Sequence, residues 1–286
     1  MDEKQIGLIG LGLLGTALAE RLLGAGLRVL GYDVEASRRA ALRDRGGAVA
    51  ENAAAVAASC DRVLLSLPTS DVVAEVVEET AGRLRVGQII IDTTTGDPEQ
   101  TAATGRRLAE RGVEYLDATV SGSSEQARRG DVVVMAGGRR EAFEACRDVF
   151  RCFAREAHHV GPWGNGAKMK LATNLVLGLN RAALAEGLAF AEALGLDPAD
   201  TLPILMATMA YSRIMDTKGE KMVRGDFAPQ ARLRQHLKDV RLILAAASAE
   251  GLDLPLSQAH RRLLELVEAA GYGDADNSAV IEAYRQ

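Results

Sequence analysis

The sequence is poor in the features that mark nucleic-acid, membrane or metal-binding proteins. It has no lysine–arginine block, and its formal net charge is −5. Nothing therefore points to a nucleic-acid partner. No run of about 18 uninterrupted apolar residues occurs, so no membrane span is expected. The three cysteines, Cys60, Cys146 and Cys152, are odd in number and lack metal-ligand spacing. They read as free thiols in a reducing compartment, and no metal site is expected. The polar start Met1–Gln5 is not read as a signal peptide, which makes the cytoplasm the expected location. Internal repeats and low-complexity linkers are also missing. What is present, 286 residues with 48% hydrophobic and 26% charged content, suits a soluble globular protein of one large domain or two ordinary ones.

The first half alternates short apolar runs with helical periods. Ile6 to Ile9 reads as a buried strand, and Thr16 to Leu23 as a helix. Between them lies Gly10-Leu11-Gly12-Leu13-Leu14-Gly15. A lone G-x-G-x-x-G is a weak signal, but here it stands between a strand and a helix, where a dinucleotide needs it. The first glycine permits the tight turn, the second lets a pyrophosphate approach the backbone, and the third lets helix and strand pack closely. A second strand, Leu27 to Tyr32, ends at Asp33, which is 33 − 15 = 18 residues past the last glycine. That is close to the spacing of about 20 at which a carboxylate reaches the ribose hydroxyls and repels a 2′-phosphate. Asp33 could instead cap the helix that follows, and Arg38 and Arg39 could receive a 2′-phosphate. NAD is favoured over NADP.

The alternation continues through strands at Ala48-Val49, Arg62 to Leu67, Gln88 to Ile91 and Val113 to Leu116. Helices are expected at Ala53 to Ser59, Asp71 to Leu84 and from Pro98 through Arg111. This is the pattern of a parallel sheet with helices on both faces. Ligands of such sheets sit at the carboxyl ends of the strands. Three hydroxyl-bearing loops are expected there: Ser66-Leu67-Pro68, Thr93-Thr94-Thr95 and Asp117 to Ser124. The last of these suits a small molecule that carries a carboxylate. Val132 to Met135, a helix from Arg140 to Val149, and His158-His159-Val160 extend the sheet. Adjacent histidines on a strand point to opposite faces, so His158 and His159 read as structural.

After Gly161-Pro162 no strand pattern remains. A boundary near residue 162 gives a dinucleotide-binding domain, 1–162, and an all-helical domain, 163–286. A long helix over about 164–194 opens the second domain, roughly 45 Å from end to end. Its apolar residues cover more than one face, which predicts at least a dimer, either homodimer or homotetramer. Lys170 and Asn174 are four residues apart and share one face of this helix. Gly178 continues that face and leaves room beside it. Lys170 could merely reach out to solvent, and Lys238-Asp239 could be a solvated pair on the helix Leu233–Glu250. Further helices are expected at Asp197–Thr208, Ser212–Val223, Leu256–Ala270 and Ser278–Tyr284.

Together, Gly7 to Gly15, Asp117-Ala118-Thr119-Val120-Ser121-Gly122-Ser123, Gly164-x-Gly166-x-x-x-Lys170-x-x-x-Asn174, Lys238-Asp239 and Asn277-Ser278-Ala279-Val280 resemble the β-hydroxyacid dehydrogenase family, over essentially the whole chain. The resemblance implies a Rossmann-type doubly wound sheet followed by an all-helical domain of the 6-phosphogluconate dehydrogenase type. It implies hydride transfer between NAD and a small β-hydroxy acid or its semialdehyde or keto form. Lys170 would be the general acid/base, because a lysine removed from water has its pKa lowered toward neutrality. Asn174 would orient the substrate or the lysine, and both would touch substrate. Ser121, Gly122 and Ser123 would hold the substrate carboxylate. Gly10 to Gly15, Asp33, Leu67, Pro68, Thr95 and Lys238 would bind the cofactor. Two departures stand out. Ser123 replaces the second glycine of the usual Ser-Gly-Gly, and Ala231 stands where relatives often have phenylalanine. An NADPH-preferring semialdehyde or glyoxylate reductase, an imine reductase and a non-catalytic dinucleotide-binding module are the alternatives, and Lys170 argues against the last two.

Overall fold

The computed structural model describes residues 5–285. It divides into two compact units between Lys170 and Leu171. The first unit runs β1 (Gln5–Ile9), α1 (Leu13–Gly24), β2 (Arg28–Tyr32), α2 (Ala36–Asp44), β3 (Ala48–Val49), α3 (Ala53–Ser59), β4 (Arg62–Leu65), α4 (Ser70–Thr80), β5 (Ile89–Asp92), α5 (Pro98–Ala109), β6 (Glu114–Ser121), α6 (Ser124–Arg129), β7 (Val132–Gly138), α7 (Arg140–Ala145), α8 (Arg147–Phe153) and β8 (Ala154–Gly161). The sheet order is β3-β2-β1-β4-β5-β6-β7-β8. Strand order reverses beside β1, as in a Rossmann-type doubly wound sheet.

Side-chain alternation builds one core on each face of the sheet. Ile6 and Leu8 of β1 pack with Ile91, Leu116, Leu18, Phe150 and Phe153 on one face. Ile9 of the same strand packs with Val63, Leu65, Ile90 and Tyr115 on the other, beneath Val56, Val73 and Leu108. Aliphatic β-branched residues dominate these strands because both of their faces are covered.

The sheet departs from the all-parallel expectation at one place, where β7 runs antiparallel to β6. The reason is length. The connection from Gly122 to Asp131 is ten residues (131 − 122 + 1), and a parallel crossover needs about a dozen or more. The longer connection through α7 and α8 returns β8 parallel to β7. A second correction concerns Asp117 to Ser121, expected as a loop. These residues extend β6 four places beyond its last pairing with β5, Asp92↔Asp117. Their pairing with β7 outweighs a polar composition that reads as a turn. The helix expected over Arg140–Val149 is broken at Cys146, and α6 was not foreseen.

The second unit is all helical. α9 (Asn165–Ala193) begins in the first unit and carries on through the second. It is followed by α10 (Pro198–Ala207), α11 (Ile214–Arg224), α12 (Leu233–Ala249), α13 (Pro255–Val267), one π turn and a 3₁₀ segment, Asn277–Tyr284. Leu184, Leu188, Met222, Leu237, Val240, Leu264 and Val280 form its core. A buried ion pair organises the carboxyl-terminal part of the unit. Asp276 is fully buried. It accepts Lys218 Nζ at 2.8 and 2.9 Å, the amides of Gln230 and Ala231, and both the amide and the hydroxyl of Ser278. Removing one side of such a pair leaves an uncompensated buried charge. Lys218→Met should therefore cost about 3–5 kcal/mol in urea unfolding followed by helical circular dichroism.

Candidate active site

The loops after β1, β4 and β5 come together at the carboxyl edge of the sheet. Gly10 has a φ of +95°, and a Cβ there would lie 2.3 Å from the Ser66 carbonyl oxygen. A Cβ at Gly15 would lie 2.0 Å from the Gly10 carbonyl oxygen. Both positions admit only glycine. Gly12 differs, because a Cβ there would meet nothing within 4 Å. It is the N-cap of α1 and supplies no side-chain cap, so no side chain closes off the first amides of α1. An uncapped helix start beside a side-chain-free position is the cradle a pyrophosphate requires. Leu13 is exposed, Leu14 half-buried and Leu11 buried beneath the turn.

Asp33 follows β2 and is buried. Its Oδ2 accepts the Leu11 amide at 2.7 Å, and its Oδ1 accepts the Glu35 amide at 2.9 Å. The carboxylate thus ties the glycine turn to the end of β2. The N-cap of α2 is Glu35, not Asp33. Arg38 Nη1 lies 3.3 Å from Asp33 Oδ2. Arg39 turns back to the carbonyls of Asp33 and Val34 and stacks over Tyr32. At the next loops, the Thr94 hydroxyl accepts the Leu67 amide at 3.1 Å and the Thr93 hydroxyl donates to the Leu65 carbonyl. Pro68 is exposed at this edge, and Thr95 is half-buried.

At the end of β6, Ser121 is half-buried. Gly122 has φ +145°, and a Cβ there would press to 2.6 Å from Val132 Cγ1. Ser123 is the N-cap of α6 and forms a capping box with Gln126, which engages both its hydroxyl and its amide.

The entry to α9 is pressed onto the same strands. The Trp163 indole donates to the Tyr115 carbonyl at 2.9 Å and packs against the bare face of Gly105. A Cβ at Gly166 would lie 2.0 Å from the Asp117 carbonyl oxygen and 2.7 Å from that of Met135. Asp117 Oδ2 accepts the Ala167 amide at 3.0 Å, and the Thr119 hydroxyl donates to the Gly166 carbonyl at 2.9 Å. Burial pushes the Asp117 carboxyl up to about 6, against the amides of Ala167 and Gly164. Burial also raises Asp92, which receives the Tyr115 hydroxyl at 2.7 Å. Lys170 stands one turn into α9 and is 8% exposed.

In the second unit, Asn174 is 6% exposed, and its Nδ2 donates to Asp239 Oδ2 at 2.9 Å. Lys238 Nζ lies 3.1 Å from the other carboxylate oxygen, so Lys238-Asp239 is not a solvated pair: Asp239 is buried. The room expected beside Gly178 is occupied. A Cβ there would meet His236 Nε2 at 2.7 Å and His260 Cε1 at 2.8 Å. Arg181, two turns beyond Asn174, is buried, and its Nε and Nη1 make no hydrogen bond among the described residues. Burial lowers Arg181 to about 10, against the fields of Asp276 and Asp239. Burial, then Arg181, lowers His260 to about 4, so its ring is neutral. The spacing of seven between Asn174 and Arg181 was the signal for this polar stripe. Sequence reasoning also passed over the Asp117 carboxylate as the anchor of α9.

A Rossmann-type sheet with an open, uncapped glycine turn, followed by a helical unit, defines a dinucleotide-dependent oxidoreductase. The comparisons agree. Residues 5–161 match the family described as the NAD binding domain of 6-phosphogluconate dehydrogenase. Residues 164–284 match the NAD-binding domain of NADP-dependent 3-hydroxyisobutyrate dehydrogenase. The chain is 34% identical to 2-(hydroxymethyl)glutarate dehydrogenase of Eubacterium barkeri, over 99% of this chain and 95% of that protein. It is 33% identical to 2-hydroxy-3-oxopropionate reductase of Escherichia coli K12, over 98% and 96%. A crystal structure of 3-hydroxyisobutyrate dehydrogenase from Salmonella typhimurium superposes with a TM-score of 0.89, at 27% identity and over 97% and 99% of the two chains. The chain belongs to the β-hydroxyacid dehydrogenase family and is an oxidoreductase that uses a nicotinamide dinucleotide.

Two measurements probe this geometry. Gly12→Ala should fold with an unchanged melting temperature yet bind NADH at least about tenfold more weakly by fluorescence titration, since its methyl enters the cradle. Gly15→Ala should instead lower the melting temperature. A second prediction concerns pH. With its folded-state value near 6, Asp117 binds a proton in the folded state while its unfolded counterpart stays ionised. Its contribution to stability is therefore gained as pH falls through that value, from about pH 7 down to about pH 4, where the unfolded carboxylate also takes up its proton. Thermal melts of Asp117→Asn should lack this component.

Proposed function

We propose that the chain transfers a hydride between NAD(H) and a small β-hydroxy acid or its semialdehyde or keto form, with Lys170 as general acid/base. The observation that carries this is a buried lysine one turn before a buried asparagine on the same face of α9, with the asparagine amide fixed by Asp239. A buried lysine has its charged form disfavoured, which suits proton transfer near neutral pH. In oxidation, neutral Lys170 Nζ takes the substrate hydroxyl proton. In reduction, the Lys170 ammonium returns it to the carbonyl oxygen. The nicotinamide, when bound, accepts or supplies the hydride. Asn174 orients the reacting oxygen or Lys170.

Ser121, Gly122 and Ser123 hold the substrate carboxylate. Because the capping box engages Ser123, the Ser121 hydroxyl and the Gly122 amide carry most of this contact. Gly10, Leu11, Gly12, Leu13, Leu14, Gly15, Asp33, Leu67, Pro68 and Thr95 bind the dinucleotide, and Lys238 closes over cofactor or substrate. Asp33 supports NAD over NADP through its buried carboxylate at the end of β2. The substrate belongs to the class of small hydroxy acids that the relatives' names describe. We assign residues 1–162 to dinucleotide binding and 163–286 to the substrate and dimerisation domain. The exposed Val176 and Phe190 on α9, with Leu194 just after it, support a homodimer or homotetramer, and the cytoplasm is the expected compartment.

The test follows reduced-nicotinamide absorbance with NAD and NADP separately, over a panel of small β-hydroxy acids and their semialdehydes. Turnover with NAD, reduced about a hundredfold or more in Lys170→Ala, is the expected result. Turnover with NADP alone would transfer the ribose contact from Asp33 to Arg38. Turnover indifferent to the substitution would remove Lys170 from the chemistry.

A further inference from the structure

Asp117 lies on β6, opposite Asp92 of β5 and Gly137 of β7. It is 1% exposed, yet the amides around it do not neutralise the cost of its burial. A buried carboxylate kept at such a cost calls for a reason beyond stability. Its Oδ2 accepts the Ala167 amide, one of the first amides of α9, which the helix itself leaves unpaired. The other end of the same peptide unit is held on the same strand. The Gly166 carbonyl, which in an α-helix accepts the Lys170 amide, also receives the Thr119 hydroxyl of β6. Two bonds from successive inward positions of one strand therefore clamp both ends of the Gly166–Ala167 peptide unit, at the start of the turn that leads to Lys170. Glycine at 166 brings the helix backbone directly onto the strand, since any side chain would overlap the Asp117 and Met135 carbonyls.

We propose that Asp117 is a positioning residue: it fixes the first turn of α9 on β6, and through that turn the location of the Lys170 ammonium. The proposal rests on the general acid/base reading of Lys170. Ionised Asp117 also complements the positive end of the α9 dipole, which strengthens its bond to the Ala167 amide. The titratable groups packed around it are Asp92 on β5 and Tyr115 on β6. Asp92 acts on Asp117 as a like charge. Tyr115 has its hydroxyl committed to Asp92.

Four forms are compared: parent, Asp117→Asn (which keeps an acceptor), and Asp117→Ala and Asp117→Ser (which cannot reach Ala167). Two readouts are taken. The first is amide hydrogen exchange of the peptide over 162–172, measured without substrate. The second is the split of kcat from the KM for NAD on the panel substrate that turns over fastest. Faster exchange in the Ala and Ser forms, confined to this peptide, is expected, with near-parent exchange in the Asn form. A kcat about tenfold or more below parent, at an unchanged KM for NAD, and recovered largely by Asn, is the matching kinetic result. Unchanged exchange in both short variants overturns the proposal, as does an equal loss in Asn and Ala. Lys170→Ala runs alongside. If it turns over like the parent, the catalytic reading of Lys170 fails, whereas exchange still decides whether Asp117 holds the turn.

Discussion

The structure depends on backbone meeting backbone where a side chain would ordinarily stand. At Gly166, α9 touches the carbonyls of β6 and β7, and at Gly15, α1 touches the turn that precedes it. Both contacts bring a helix start against the carboxyl edge of the sheet, which lays two sets of unpaired amides at one edge. One set is left open beside Gly12 and suits an anionic cofactor. The other is closed by a carboxylate from β6 and leads into the lysine. The fold thus treats two similar helix starts in opposite ways, and the difference is a single acidic side chain.

Charges inside this protein are used unevenly. Lys218 and Asp276 are fully paired and serve the helical core. Asp117 and Arg181 are not: each is buried with at least one polar atom lacking a hydrogen-bond partner among the described residues. Groups of this kind lower stability, and at His260 the Arg181 charge adds to burial in keeping the ring neutral. Asp117 holds the start of the turn that leads to Lys170, and Arg181 lies two turns beyond Asn174 on α9, which matches the general tendency of functional sites to retain what a purely structural core would discard.

Much of this was legible in the chain alone, and the failures have physical causes. The glycine turn, the strand–helix alternation and the bounds of α9 follow from local spacing that tertiary structure did not override. The extension of β6 through Ser121 was not legible, because Asp117, Thr119 and Ser121 look like turn residues until β7 pairs with them. Antiparallel β7 could have been inferred from the ten-residue connection before it. The filling of the space beside Gly178 could not, since His236 and His260 come from helices some 60 and 80 residues further on. The capping box at Ser123 is readable in hindsight from the Gln three positions later.

One irregularity of the sheet is tied to the start of α9. Between Ala136↔His159 and Gly137↔Gly161 the register of β7 and β8 skips Val160. The carbonyl of the bulged residue is bound by the Asn165 side chain at the helix start. Each residue of an α-helix turns its neighbours by about 100°. That single extra residue therefore acts as a phase setting. Without it, Asn165 would lose this acceptor, and the first turn of α9 would meet β6 one step out of phase. Changes of length in the surface connection before β7 can be absorbed locally, whereas one residue gained or lost at this bulge would displace the first turn of α9 along β6.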